Sequence, residues 1–152
     1  MQFLSLGTQY TLTALITLSK EGTNVAVSAS KLAEPLKSPS TYLSQILTNL
    51  IEPGIIGTRR GIKGGVYLAR DAKDISLYDI VTSVEGDTFF QTCFLGISGC
   101  GDIEPCPFHD EWGEKRGKIE DWLKSTSLED LANDTSTMLT DGLLQFDRKE
   151  KR

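Results

Sequence analysis

The chain has 152 residues, 39% hydrophobic and 24% charged, with a net charge of −5, three cysteines and one histidine. That length buries one core plus an appended helical piece without disulfide staples; no run of about 18 apolar residues and no signal-peptide start appears, which excludes a membrane span and points to the cytoplasm. The acidity is uneven: residues 1–86 carry eight Lys/Arg against seven Asp/Glu, residues 87–152 carry eight against fourteen, and Pro53 to Arg70 holds Arg59, Arg60, Lys63 and Arg70 with no acid. A local basic strip of this kind neutralises phosphates even in an acidic chain.

Leu4, Tyr10, Leu12, Ala14, Leu15, Ile16 and Leu18 predict an apolar first helix over residues 5–20, ended by Glu21-Gly22-Thr23-Asn24. Val25 and Val27 read as a short extended stretch, and Ser28 caps a second helix carrying Leu32, Ala33 and Leu36. Ser38-Pro39 opens a third, running to Ile51 and burying Leu43, Ile46, Leu47 and Leu50, because Ser is a good N-cap and Pro fits the first helical position. The period then changes to about two. Ile55, Ile56 and Thr58 form one strand and Val66, Tyr67 and Leu68 its partner, joined by the basic, glycine-rich Arg59-Arg60-Gly61-Ile62-Lys63-Gly64-Gly65.

Asp74 to Leu77 opens a fourth helix ending near Gly86, and residues 87–106 show no sustained period and read as a loop. From Pro107 to about residue 124 a long helix carries Phe108, Trp112, Ile119, Trp122 and Leu123 as one apolar stripe, an anchor for a second helix or subunit, with Gly113 and Gly117 four apart implying a close helix crossing. Ser127-Leu128-Glu129-Asp130 is a capping box for a last helix, and the tail from 134, above all Arg148 to Arg152, is expected to be partly disordered. The fold class is therefore mainly α with a small β-hairpin wing: a winged helix-turn-helix over 1–86, a cysteine-containing loop over 87–106, a dimerisation helix and its successor over 107–133, and the tail.

Helix, helix, helix and a hairpin with a basic tip inside 70 residues make a DNA-binding module, the third helix suited to a major groove and the wing to phosphates or a minor groove. Ser38, Ser40, Thr41, Tyr42 and Gln45 form the polar face of that helix; Gln45 suits adenine and the hydroxyls suit phosphates, while Arg59, Arg60 and Lys63 arm the wing. Cys93, Cys100, Cys106 and His109 put four soft or borderline ligands within 17 residues, in a chain with no other Cys or His. Thiolates and imidazole suit zinc or iron–sulfur chemistry; metal binding, thiol redox sensing and plain burial all remain open at this point.

Leu4-Ser5 with Tyr10 and Ala14-Leu15, Tyr42-Leu43-Ser44-Gln45-Ile46-Leu47, Arg60 to Leu68 and the three-cysteine loop together resemble the Rrf-type bacterial winged-helix regulators over about residues 1–132. The resemblance implies a homodimer whose long helices cross between subunits and whose two wing domains address a palindromic operator in double-stranded DNA. It further implies that Arg60 enters the minor groove and the helix from Ser38 to Asn49 the major groove; Ser44 stands where some members carry Glu, which alters sequence preference.

Six residues separate Cys93 from Cys100 and five separate Cys100 from Cys106, so there is no Cys-x2-to-4-Cys zinc knuckle. A long loop with Gly96, Gly99 and Gly101 suits an iron–sulfur cluster, 2Fe-2S or 4Fe-4S, whose sulfides accept backbone N–H groups. Family members commonly have five residues in both gaps. His109 follows Cys106 with the two-residue gap of the histidine-ligated members, whereas others take a carboxylate from the partner's first helix, where this chain has Gln9. The function expected is a DNA-binding regulator, a repressor, sensing iron–sulfur status, nitric oxide or redox state, with no enzyme activity. The alternatives are a metal-free thiol-redox regulator and an iron–sulfur carrier or electron-transfer protein on a winged-helix scaffold.

Overall fold

The computed structural model describes residues 3–133; the expected disordered tail lies outside the described residues. Helix α1 (Leu6–Glu21) starts where Ser5 Oγ accepts from Thr8 N and stops at Gly22, whose φ of 108° no longer suits a helix. α1 is the axle of the fold, packing against α2 (Ala29–Ala33), α3 (Ser40–Leu47), strand β2 (Gly65–Leu68), α4 (Leu77–Glu85) and α6 (Leu128–Ala132). Contact on all sides explains why a helix with four threonines is buried almost all round. Thr11 and Thr13 donate to the carbonyls one turn back, Gly7 O at 2.9 Å and Gln9 O at 3.0 Å, so their hydroxyls are satisfied without leaving the helix.

Leu15, Leu18, Leu43, Leu47, Leu50, Ile55, Leu68, Ile75, Ile80 and Leu128 are fully buried. Each contributes about 1.5–3 kcal/mol relative to exposure. They come from α1, α3, β2, α4, α6 and the turns between them. α2 adds the buried Leu32 and Ala33, whereas α5 (His109–Ser125) adds only Leu123.

The third helix differs from expectation at both ends. Its α-helical part is Ser40–Leu47, with Pro39 rather than Ser38 at the cap position, no side-chain cap bond, and the Ser38 hydroxyl buried without a partner among the described residues. Residues Thr48–Leu50 tighten into a 3-10 turn that swings Leu50 into the core. β1 (Ile56–Arg59) and β2 pair antiparallel with Ile56 opposite Leu68 and Arg59 opposite Gly65. Val27 adds a single bridge to Val66, so the anticipated extended stretch is one residue of ladder.

Ser76 caps α4, preceded by a 3-10 turn at Ala72–Asp74, and a third 3-10 turn at Phe89–Gln91 interrupts the expected loop. α5 begins at His109, two residues later than the Pro107 start expected from sequence, because residues through Phe108 belong to the loop. Its far end is stitched down: Leu77 N donates to Thr126 O and Leu128 N to Ile75 O, both at 2.8 Å. Phe108 and Trp122 stand 46% and 60% exposed, so these two members of the apolar stripe lie outside the core of the described residues, which Leu123 enters and Ile119 packs against.

Candidate functional site

The loop between Phe90 and α5 is shaped by its own turns. Gly96 N donates to Cys93 O at 3.0 Å and Gly101 N to Glu104 O at 3.4 Å, with Gly96 and Gly99 at φ of 69° and 82°, values that favour glycine. These turns bring all three thiols to one place: the sulfurs of Cys93, Cys100 and Cys106 lie within 4.8 Å of one another, each half-buried. Cys93 Sγ is 3.7 Å from Cys106 Sγ, and Cys106 N donates to Cys100 Sγ at 3.3 Å.

His109, the first residue of α5, turns Nδ1 toward Cys100 Sγ at 3.4 Å, while Nε2 faces Asp102 Oδ1 at 3.3 Å. A carboxylate on one ring nitrogen leaves the other free to act as a ligand. Gln91, Trp112 and Arg116 join the thiols and His109 around a cavity of about 30 Å³.

The thiols are electrostatically unequal. The backbone N–H of Ile97, opposed by partial burial and helped by Leu95 N–H and the neighbouring thiols, draws the Cys93 thiol down to about 7. At Cys100 the Cys106 N–H lowers the pKa, but partial burial and the adjoining sulfurs outweigh it and raise the thiol above its usual value. The N–H groups that hold the Cys93 thiol down are those of Ile97 and Leu95, while the Gly96 and Gly101 N–H groups donate within the loop's own turns. Gln9 is buried in α1, its Nε2 donating to Leu4 O at 3.1 Å and its Oε1 without a partner among the described residues.

On the elements expected to read DNA, Thr41, Tyr42 and Gln45 are exposed and Ser38 and Ser40 half-buried. The Tyr42 ring stands edge-on to Tyr10, centroids 6.2 Å apart, so it also ties α3 to α1. In the wing, Gly65 has φ of 143° and a Cβ there would collide with the Val27 carbonyl, while one at Gly64 would strike the Arg59 carbonyl; glycine lets the hairpin close on itself. Arg60 and Lys63 are exposed. Arg59 is held, its Nη1 donating to Asn24 O at 2.6 Å and its guanidinium over the Tyr67 ring at 4.4 Å. Sequence reasoning missed Ile62, wholly exposed at the wing tip, Gln91 and Arg116 beside the thiols, and Asp102 on the His109 ring. Spacing signalled none of these, since each reaches the site through a turn or from a later helix.

A helix-turn-helix with a basic wing, followed by a thiol-lined loop at the foot of an exposed helix, defines a winged-helix transcriptional regulator that binds DNA. The family described as Rrf2, iron-dependent transcriptional regulator, matches residues 4–134, and the chain belongs to the Rrf2 family. The HTH-type transcriptional regulator IscR of Photorhabdus laumondii is 26% identical over 141 residues, covering 93% of this chain and 85% of the relative. Among solved structures, CymR, the global cysteine regulator of B. subtilis, superposes with a TM-score of 0.71 at 29% identity, over 90% of this chain and all of that one. The IscR of T. potens superposes with a TM-score of 0.67 at 26% identity, over 88% of each chain. Among the described residues no helix is long and apolar enough to cross a membrane.

Proposed function

We propose that this regulator is a homodimeric, cytoplasmic repressor that senses iron–sulfur status, nitric oxide or redox state through an iron–sulfur cluster held by Cys93, Cys100, Cys106 and His109. The carrying observation is convergence: three sulfurs within 4.8 Å and an imidazole nitrogen 3.4 Å from one of them, in a loop with no zinc knuckle. The donor set fits such a group, and the half-buried thiols leave it reachable by small oxidants. When bound, the cluster supplies redox-labile and nitric-oxide-reactive iron. The chain's own residues do the rest: Leu95 and Ile97 N–H groups stabilise negative charge on Cys93, and Asp102 orients His109.

In this reading the units are the winged domain 1–86, the sensor loop 87–106, the dimer-forming 107–133 and the tail. Ser40, Thr41, Tyr42 and Gln45 face one half-site of a palindromic operator, with Arg60 and Lys63 of the wing on phosphate or minor groove and Arg59 bracing it; Ser38, expected from sequence to join them, has its hydroxyl buried and is left out of that face. A shift of α5 changes the spacing of the two recognition helices and so affinity, because half-sites lie about one helical turn apart.

Anaerobic purification, visible absorption and iron and sulfide assay of the wild type and of Cys100→Ser test the cluster. Stoichiometric iron and sulfide in the first and their loss in the second are expected; a colourless protein with stoichiometric zinc would sink the reading. A second reading has its own observation, the 3.7 Å between Cys93 and Cys106. Two thiols there form a disulfide with loss of two protons and two electrons to a peroxide, which leaves as two waters. Peroxide treatment of metal-free protein followed by peptide mapping would locate a Cys93–Cys106 bridge. An iron–sulfur carrier on this scaffold is separated by salt: specific operator binding weakens steeply with ionic strength, which a carrier would not show.

A further inference from the structure

One backbone group next to the cysteines has an unusual pair of partners. The carbonyl of Thr92, the residue before Cys93, accepts the Trp112 indole N–H at 2.9 Å and an Arg116 guanidinium N–H at 2.9 Å. The two donors stand one turn apart on α5, and a carbonyl's two lone pairs accommodate both. The Arg116 bond is charge-assisted, which makes it the stronger type. Trp112 also packs its ring 5.4 Å from Phe94, immediately after Cys93.

The last cysteine is tied to the same helix by chain continuity, since His109 N donates to Cys106 O at 3.1 Å as α5 begins. Both ends of the cysteine loop therefore hang on α5, one covalently and one through Thr92. α5 in turn packs on α4 and is stitched to the winged domain at its far end.

We infer that Trp112 and Arg116 are positioning residues that clamp the start of the cysteine loop to α5, so that a change at the thiols is transmitted to the helix rather than absorbed by the loop. This rests on the loop being the sensor. The clamp acts on Cys93 because Thr92 O fixes the backbone one residue before it. Without the two bonds, the loop start is held by its own turns and by the Phe94 ring contacts alone, and Cys93 follows α5 less closely.

The test uses the full chain, reduced and metal-free, labelled with iodoacetamide and read by peptide mass spectrometry, with rates compared on the high-pH plateau so that thiol ionisation cancels. Trp112→Phe keeps the ring and removes the donor; Arg116→Ala removes the other. Cys93 should label about fivefold faster in each single variant, the factor that one modest hydrogen bond represents, and faster again in the double variant. Arg116→Lys, which retains a cationic donor, should restore most of the protection. A wild-type rate at Cys93 in the double variant overturns the clamp, as does equal acceleration of all three thiols with a lowered Tm.

Amide hydrogen exchange before and after iron and sulfide loading supplies the second arm. Loading should slow exchange along α5 in the wild type, and the double variant should take up the same iron while transmitting little of that protection. Full transmission in the double variant overturns the inference. If the wild type takes up no iron and sulfide, the cluster reading fails and the labelling rates alone decide the clamp.

Discussion

Glu85 shows how much a single carboxylate organises at the junction of α1 and α4. It ends α4 and accepts from Ser5 N at 2.8 Å and Thr8 Oγ1 at 2.5 Å, closing the first turn of α1. Partial burial pushes its carboxyl up, but the Thr8 hydroxyl and the Ser5 side-chain and backbone groups outweigh that and hold it below the usual carboxylate value. A depressed folded-state pKa means stabilisation that is complete above the ordinary carboxylate range and disappears as pH falls through the folded value. Glu85→Ala should therefore cost about 1 kcal/mol at neutral pH, the discount reflecting partial exposure, and the gap to wild type should narrow as the pH falls below the ordinary carboxylate range. Urea unfolding of both proteins across that range measures it; a gap that persists unchanged in acid would remove the carboxylate from this role.

At the scale of elements, α5 is the outlier. Its exposed length is held by ion pairs one turn apart, Glu111–Lys115 at 2.9 Å and Glu114–Lys118 and Glu120–Lys124 at 2.7 Å, rather than by core contacts. The close crossing expected at Gly113 and Gly117 is not made among the described residues: there a Cβ on Gly117 meets nothing within 4 Å, and one on Gly113 meets only the Arg116 side chain. The small residues and Trp122, 60% exposed, are thus left for a second copy in the proposed dimer. Trp122→Ala should leave protomer stability within about 0.5 kcal/mol of wild type, as for surface substitutions, yet weaken self-association more than about tenfold. Sedimentation equilibrium over a concentration series decides it; an unaltered dimer constant would move the interface elsewhere.

For the whole molecule, the question is how an acidic chain binds DNA, and the answer is placement of charge. Arg60 and Lys63 stand exposed on the wing, whereas Arg59 is committed to Asn24 O and the Tyr67 ring. Arg60→Ala and Lys63→Ala should each reduce the slope of log affinity against log salt by about 0.9, the value for one phosphate left unneutralised. Arg59→Ala should lower affinity with little change in that slope, because it loosens the wing and leaves the phosphate-facing cations in place. Titration of a selected operator duplex at several salt concentrations distinguishes the three; an equal slope change for Arg59→Ala would make it a phosphate ligand too.

Much of this architecture was legible in the residues alone. Apolar spacing located α1 through α4, the glycines and the change of period located the wing, and three thiols with one histidine in 17 residues marked the loop, because local periodicity and backbone permissiveness are written in short stretches of chain. At Phe108 and Trp122 the stripe pointed to an anchor for a second helix or subunit, and both side chains are exposed; periodicity alone does not say what covers such a stripe. Helix ends slipped by a few residues at Ser38 and Pro107, where the propensity of Ser-Pro or of Pro to open a helix gave way to packing. Only the tertiary structure decided which amides face Cys93, that Arg59 is engaged, and that Thr92 joins the loop to Trp112 and Arg116. Those contacts join residues up to 35 positions apart, and their geometry arises only when the separate elements have packed.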